Sequence, residues 1–304
     1  MSVCFFMTSN PGLIIKSFQY IDWIVGIATT FLSPIIFVGN VLVIASILLD
    51  PHKNIRNAQS SYILFNLALA DLLVGIVVVP LYSTCLIEIV VSNNIPFYSN
   101  AVPFTAAISY AVSLYNLIAL TVDRLIAIRK PLQYSYLVTK KRIININISM
   151  WFCSTAFAMI QLHWCKTFVI LSVTHGAITL AVLIFLSIAL LLALKSQGKK
   201  IKKNIDLKNQ VVLKNAFTRE RIVARTSLMM VSAFEFCISS YIIFSSLMML
   251  LKDREISLNL YHTGTFIAIF NCLMNPFLYA WRLPKYRKAF QYILNLIKKK
   301  TSFF

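Results

Sequence analysis

The stretch Leu120-Thr121-Val122-Asp123-Arg124-Leu125-Ile126-Ala127-Ile128-Arg129-Lys130-Pro131 closes an apolar run that begins at Phe97. It sets an acid and an arginine side by side and then runs into a basic loop. Charges where a hydrophobic helix leaves a bilayer are costly unless paired or hydrated, so such a pair marks a candidate functional site. The simpler alternative is an interfacial arginine reaching for lipid headgroups. The rest of the chain decides between the two.

Of the 304 residues, 59% are hydrophobic and only 13% charged, with a mean hydropathy of +0.76. Soluble domains carry roughly a quarter charged residues, so this is the composition of a membrane protein. A net charge of +19 can signal a nucleic-acid partner. Here the basic residues sit in loops between apolar runs, and no nucleic acid is expected. Seven runs span about 21–49, 60–88, 97–122, 143–162, 167–194, 222–251 and 258–281. Each reaches or approaches the ~20 residues that a helix needs to cross a bilayer. Continuous hydrophobicity without period-two alternation predicts an all-α bundle of seven transmembrane helices rather than a barrel.

With the N-terminus outside, 25 of the 29 Lys and Arg residues fall on the inner side, leaving Lys16, Lys166, Lys252 and Arg254 outside. The positive-inside rule therefore predicts a multi-pass protein with an extracellular N-terminus and a cytoplasmic C-terminus. The expected parts are a short extracellular segment 1–20, a seven-transmembrane domain 21–281 and a cytoplasmic amphipathic helix and tail 282–304. Met1–Gln19 lacks a basic start and is broken by Asn10-Pro11-Gly12, so no cleavable signal is expected. The sequon Asn147-Ile148-Ser149 lies within helix four and should not be glycosylated. The six cysteines show no metal-ligand spacing.

Several polar groups sit inside the runs: Asn40 in helix one, Asp71 in helix two, Ser113 in helix three, and Asn271 and Asn275 in helix seven. Counting 1.5 Å per residue from the basic ends puts Asn40, Asp71, Ser113 and Asn271 at ~14–17 Å, with Asn275 about one turn below. Oxygen ligands of this kind suit a hard cation such as sodium, with Asp71 and Ser113 at its centre. A hydrated hydrogen-bond cluster that joins the helices is the competing view. Pro80 should kink helix two. Pro276 frees a backbone carbonyl that Asn271, Asn275 or water can satisfy. Trp151 reads as a packing residue, and Glu235 is a second intramembrane acid. The basic stretch from Lys195 to Arg225 reads as helical continuations that favour anionic lipid. From Pro284 onward, Tyr286, Phe290, Ile293 and Leu294 share one face of an amphipathic helix suited to the inner membrane surface. No cysteine follows to carry a palmitoyl anchor.

These features together resemble the rhodopsin-like (class A) G-protein-coupled receptors over Ile21 to about Leu296. The matching elements are Gly39-Asn40-x-Leu42-Val43, Leu67-Ala68-x-Ala70-Asp71, Asp123-Arg124 with Pro131, Trp151, Phe234-x-x-Cys237 and Asn275-Pro276-x-x-Tyr279. The resemblance implies that Arg124, beside Asp123, contacts a heterotrimeric G protein when the inner face opens. It implies that Glu220 pairs with Arg124 at rest, and that Tyr279 swings inward on activation. Asp71, Ser113, Asn271 and Asn275 then match the family's sodium pocket.

The chain also departs from the family pattern. Leu125 replaces the usual aromatic, and Ser99 stands where the family's helix-three cysteine falls. Cys165 is thereby left to pair with Cys85, Cys4 or nothing. Ile238 and Ser240 replace the helix-six tryptophan and proline, and helix five lacks its proline and inner tyrosine. The short second outer loop leans towards the melanocortin, cannabinoid and adenosine receptor group. Ala106 stands where amine receptors carry Asp, and helix seven has no lysine for retinal, so neither ligand is expected. By position, Tyr82, Ala106, Ser109, Tyr110, Phe168, His175, Tyr241, His262, Thr265 and Phe266 are candidates for an outer ligand cavity, with fewer than half expected to touch a ligand.

The sequence thus predicts a plasma-membrane receptor that couples an unknown extracellular ligand to G proteins. No catalytic constellation is present, so no enzyme is expected. The competing readings are a seven-helix protein that traffics or scaffolds without G-protein signalling, and an ion-coupled carrier using Asp71 and Glu235.

Overall fold

The computed structural model describes residues 20–50, 55, 58–92, 96–163, 165–203, 210–251 and 254–301. The expected extracellular segment lies outside the described residues. Helix α1 runs Tyr20–Leu48, and α2 runs Ser60–Leu73 and resumes as Val79–Ser92 after a π-helical stretch, Val74–Val78. A short 3₁₀ turn, Phe97–Asn100, leads into α3, Ala101–Arg129. After a one-turn helix, Tyr134–Leu137, come α4 (Lys140–His163), α5 (Cys165–Lys203), α6 (Gln210–Leu250), α7 (Arg254–Arg282) and α8 (Pro284–Thr301). No strand occurs among the described residues.

Six of these helices, α1 to α6, are long and apolar enough on their own to cross a membrane, counted over the described residues. Helix α7 carries His262, Thr265, Asn271 and Asn275, which lower its hydropathy. It packs along α6 and α1, and its polar side chains face inward. Outward-facing aromatics such as Phe31, Phe152, Phe185 and Phe236 are each more than two-thirds exposed. A belt of this size on a water-soluble surface would drive aggregation, whereas it suits contact with lipid. The molecule is a multi-pass membrane bundle. Helices α5 and α6 continue into the basic region as far as Lys203 and from Gln210, well beyond the apolar runs. Hydropathy marks where lipid ends, and a chain free of proline need not end its helix there.

The core joins Leu64 and Leu67 of α2, Leu114, Leu117 and Leu120 of α3, Met230, Val231 and Phe234 of α6, and Leu278 and Tyr279 of α7. Tyr286, Ala289 and Ile293 of α8 bury one face against the bundle, and Tyr279 stacks on Tyr286 at 5.5 Å.

Helix α1 supplies two polar caps to proline defects in its neighbours. In the π stretch, Val79 N–H donates to Val74 O, so the next carbonyl, Gly75 O, looks for a donor at Pro80, which has none. Ser33 Oγ donates to Gly75 O at 2.7 Å instead. Pro276 likewise leaves Cys272 O without its helical donor, and Asn40 Nδ2 reaches it at 3.4 Å. The sequence reading gave that task to Asn271, Asn275 or water, but the cap comes from across the α1–α7 interface. Two glycines permit the approach. A Cβ on Gly39 would lie 3.0 Å from Pro276 Cγ, and one on Gly75 would lie 3.1 Å from the Phe37 backbone nitrogen.

Candidate functional site

Asp123 and Arg124 are buried at the end of α3, with 3% and 5% of their side chains exposed. Arg124 Nε donates to Asp123 Oδ2 at 2.9 Å, and an Nη donor reaches the same oxygen. Arg124 Nη1 crosses to Glu220 Oε2 on α6 at 3.2 Å. Glu220 is 45% exposed, so one half of this second pair stands in water. Tyr134, which sequence reasoning passed over, donates to Asp123 Oδ1 at 2.8 Å. Burial first, and then the Asp123 carboxylate, push the Tyr134 phenol above its ordinary value, so it remains a donor through neutral pH. The signal was Tyr134 three residues after Pro131, where a turn folds the loop back towards α3. Leu125 packs against an apolar cluster of α5 and α6 that includes Leu190, Leu194 and Leu228. Gln197 Nε2 donates to Ile128 O at 3.1 Å and ties α5 to the end of α3.

Midway along the bundle, Asp71 is fully buried, and Asn275 Nδ2 donates to its Oδ2 at 2.7 Å. Asp71 Oδ1 and Asn40 Oδ1 are buried without a hydrogen-bond partner. Ser113 and Asn271 are buried and line a cavity described next. Among the described residues, no hydrogen bond joins either of them to Asp71. On the α4 side, Trp151 Nε1 donates to Asn66 Oδ1 at 2.8 Å, and Asn66 Nδ2 donates to Asn116 Oδ1 at 3.1 Å. Trp151 is therefore a polar tether of α4 to α2 and not only a packing residue. Glu235 accepts from Ser187 Oγ at 3.3 Å, which links α6 to α5.

At the end away from Arg124, a cavity of about 150 Å³ opens between α2, α3, α5, α6 and α7. Of the ten side chains proposed for an outer cavity, Tyr82, Ala106, Ser109, Tyr110, His175, Tyr241 and Thr265 line it. His262 does not. It is buried behind Tyr82, with Nδ1 2.6 Å from Tyr82 Oη and Nε2 3.1 Å from Asp22 Oδ1. Phe266 is absent from the lining, since its helical neighbour Thr265 takes the inward direction. The side chain of Phe168 lies outside the described residues. Cys85 is free and buried, which removes one of the three arrangements open to Cys165. Cys4 and the Cys165 side chain lie outside the described residues. Ser99, in the helix-three cysteine position, is buried.

The sequence profile of the 7 transmembrane receptor (rhodopsin family) matches residues 39–279. That interval holds the Asn40 cap, the Asp71–Asn275 bond, the Asp123–Arg124 pair and Tyr279. The chain belongs to the rhodopsin family of receptors. Among curated relatives, it is 31% identical over 142 residues to the muscarinic acetylcholine receptor gar-2 of Caenorhabditis elegans, covering 45% of this chain and 22% of that receptor. It is 29% identical over 287 residues to the trace amine-associated receptor 8b of Rattus norvegicus, covering 84% of this chain and 82% of that receptor. The adenosine receptor A2a of Equus caballus is 22% identical over 290 residues, or 84% of this chain and 68% of that receptor. The family consists of receptors, and no enzyme is among these relatives.

Proposed function

We propose that this rhodopsin-family chain is a plasma-membrane receptor whose N-terminus is extracellular and whose Arg124 end is cytoplasmic. It transduces binding of an extracellular ligand in the cavity into activation of heterotrimeric G proteins. The observation that carries this reading is the Arg124–Glu220 contact, which bridges α3 and α6 at the end where the basic residues concentrate. Parting of α3 and α6 there would free the arginine for a partner. Ligand and G protein need only favour the same open state for their binding to be coupled. Tyr279, Pro276 and the α8 contact belong to the same moving region. The basic ends of α5, α6 and α8 suit anionic inner-leaflet lipid.

A sodium ion fits the residues present midway along the bundle. Asp71 Oδ1 and Asn40 Oδ1 are buried oxygens without a hydrogen-bond partner, the kind of donor that a hard cation takes. Asp71 and Ser113 would hold the ion, with Asn40, Asn271 and Asn275 around them, and it would supply a positive charge that steadies the closed bundle.

The test is nucleotide exchange on a panel of G proteins in membranes holding the chain at matched surface expression. Exchange that Arg124→Ala abolishes is the expected result. Absence of basal or ligand-evoked exchange on every G protein would sink the reading.

A further inference from the structure

We propose that the cavity takes an uncharged ligand built on a single aromatic ring with one hydroxyl-sized polar group. This inference rests on the reading of that cavity as the ligand site. The described lining contains no Asp, Glu, Lys or Arg. An ion entering it would lose its water and meet no opposite charge, which buried charges do not tolerate. Among the described residues, the acid–base pair Asp22–His262 is absent from the lining and lies behind Tyr82. What the wall does offer is a run of rings. Tyr110 stacks on Phe234 with centroids 6.4 Å apart and 21° between planes, Tyr110 meets Tyr241 at 6.3 Å, and Tyr241 meets Tyr261 at 6.5 Å.

Aromatic faces and edges recognise another ring by offset or edge-on contact. Beside the rings, the lining carries small uncharged hydrogen-bonding side chains, Ser109, Ser113, Ser172, Thr265 and Asn271. A ligand with a ring against Tyr110 and Tyr241 and a short polar arm towards Ser113 satisfies both. The volume sets the size, because about 150 Å³ is the space that an apolar protein cavity needs to take up benzene. The polar side chains select for hydrogen bonding and the wall selects against charge.

Three probes of one shape separate these terms: 2-phenylethanol, 2-phenylethylammonium and phenylacetate. Their apparent affinities are read from the concentration dependence of the melting temperature of the receptor in lipid nanodiscs. The alcohol should bind at least tenfold more tightly than either ion. Ala106 borders the cavity, so Ala106→Asp should reverse the order in favour of the ammonium, whereas the neutral Ala106→Asn should keep the alcohol first. Ala106→Leu should fill the space and remove the shift, which separates binding from an effect of the alcohol on the lipid. Either ion matching the alcohol on the unmodified chain overturns the proposal. So does a failure of the alcohol to raise the melting temperature, or a shift that survives Ala106→Leu. These readings need no G protein. Alcohol binding without Arg124-dependent exchange would defeat the receptor reading alone, and exchange without alcohol binding would defeat this inference alone.

Discussion

Arg124 is held by two acids of unequal weight, and exposure decides which of them can act as a switch. Asp123 is buried beside it and cannot be lost without stranding a charge, which is strongly destabilising. Glu220 is nearly half exposed, and ion pairs in that setting contribute only ~0–1 kcal/mol. A weak bond is what a reversible closure between α3 and α6 needs. Glu220→Gln should raise basal nucleotide exchange by only about two- to fivefold, the factor that ~0.5–1 kcal/mol supplies. Unchanged basal exchange would remove Glu220 from the closure. Tyr134 gives the same cluster an alkaline limit. Its phenol holds its proton more tightly in the folded protein than in the free side chain. That stabilisation is complete below the ordinary value near 10 and is lost as pH climbs through the raised folded value. Between about pH 9 and 11, melting temperature should fall more steeply for the unmodified protein than for Tyr134→Phe. Equal slopes would show that Tyr134 does not titrate with folding.

Among the elements, α1 does more than begin the bundle, because it caps the carbonyls that Pro80 and Pro276 leave bare. Leaving a buried acceptor without a donor costs ~1–3 kcal/mol. Ser33→Ala should therefore lower the melting temperature by that equivalent, and Ser33→Thr, which keeps the hydroxyl, should recover most of it. The glycine opposite Pro276 has a separate duty. The Cβ of any other residue at 39 would come within 3.0 Å of a proline ring that cannot rotate away. Gly39→Val should cost ~1–3 kcal/mol by overpacking. It should also weaken the Asn40 cap one residue on, so Gly39→Val and Asn40→Ala should combine to less than their sum in melting experiments. Strict additivity would mean that the glycine and the cap act apart.

For the whole molecule, the polar middle and the cavity are neighbours, since Cys272 belongs to the cavity wall and its side chain meets Asp71. An ion at Asp71 that favours the closed bundle must oppose any ligand that favours the open one, and the opposition is reciprocal. Sodium should lower apparent agonist affinity in a binding assay, and Asp71→Asn should abolish the effect. Indifference of the unmodified protein to sodium would rule the ion out. Much of this plan was legible in the chain. The apolar runs foretold the helices, and the polar residues expected inside them, Asn40, Asp71, Ser113 and Asn271, are all buried. The contact of Glu220 with Arg124 was implied by the family resemblance alone, since nothing in the spacing of either helix requires it. What stayed hidden depended on how each helix is rotated. Depth counting put Asn275 a turn below Asp71, yet the two side chains meet at 2.7 Å. The Trp151–Asn66–Asn116 chain, the Ser33 cap and the Tyr134 bond all cross between elements. Period and hydropathy describe one helix at a time, so they carry no information on such crossings.

The π stretch of α2 has a consequence for the history of the gene. Within Val74–Val78 the chain holds one more residue than an uninterrupted α-helix would need. Loss of a single codon there, for example that of Val77, would convert the stretch to plain α-helix. Pro80 would then follow Gly75 by four residues instead of five, and the Gly75 carbonyl would still lack its donor and still require Ser33. Asp71 and Tyr82 would keep their inward directions, because the deletion removes the same residue that the wide turn absorbs. One-residue deletions scanned along α2 should therefore be tolerated at 76–78, which leave Gly75 against α1, and abolish surface expression on either side of the π stretch.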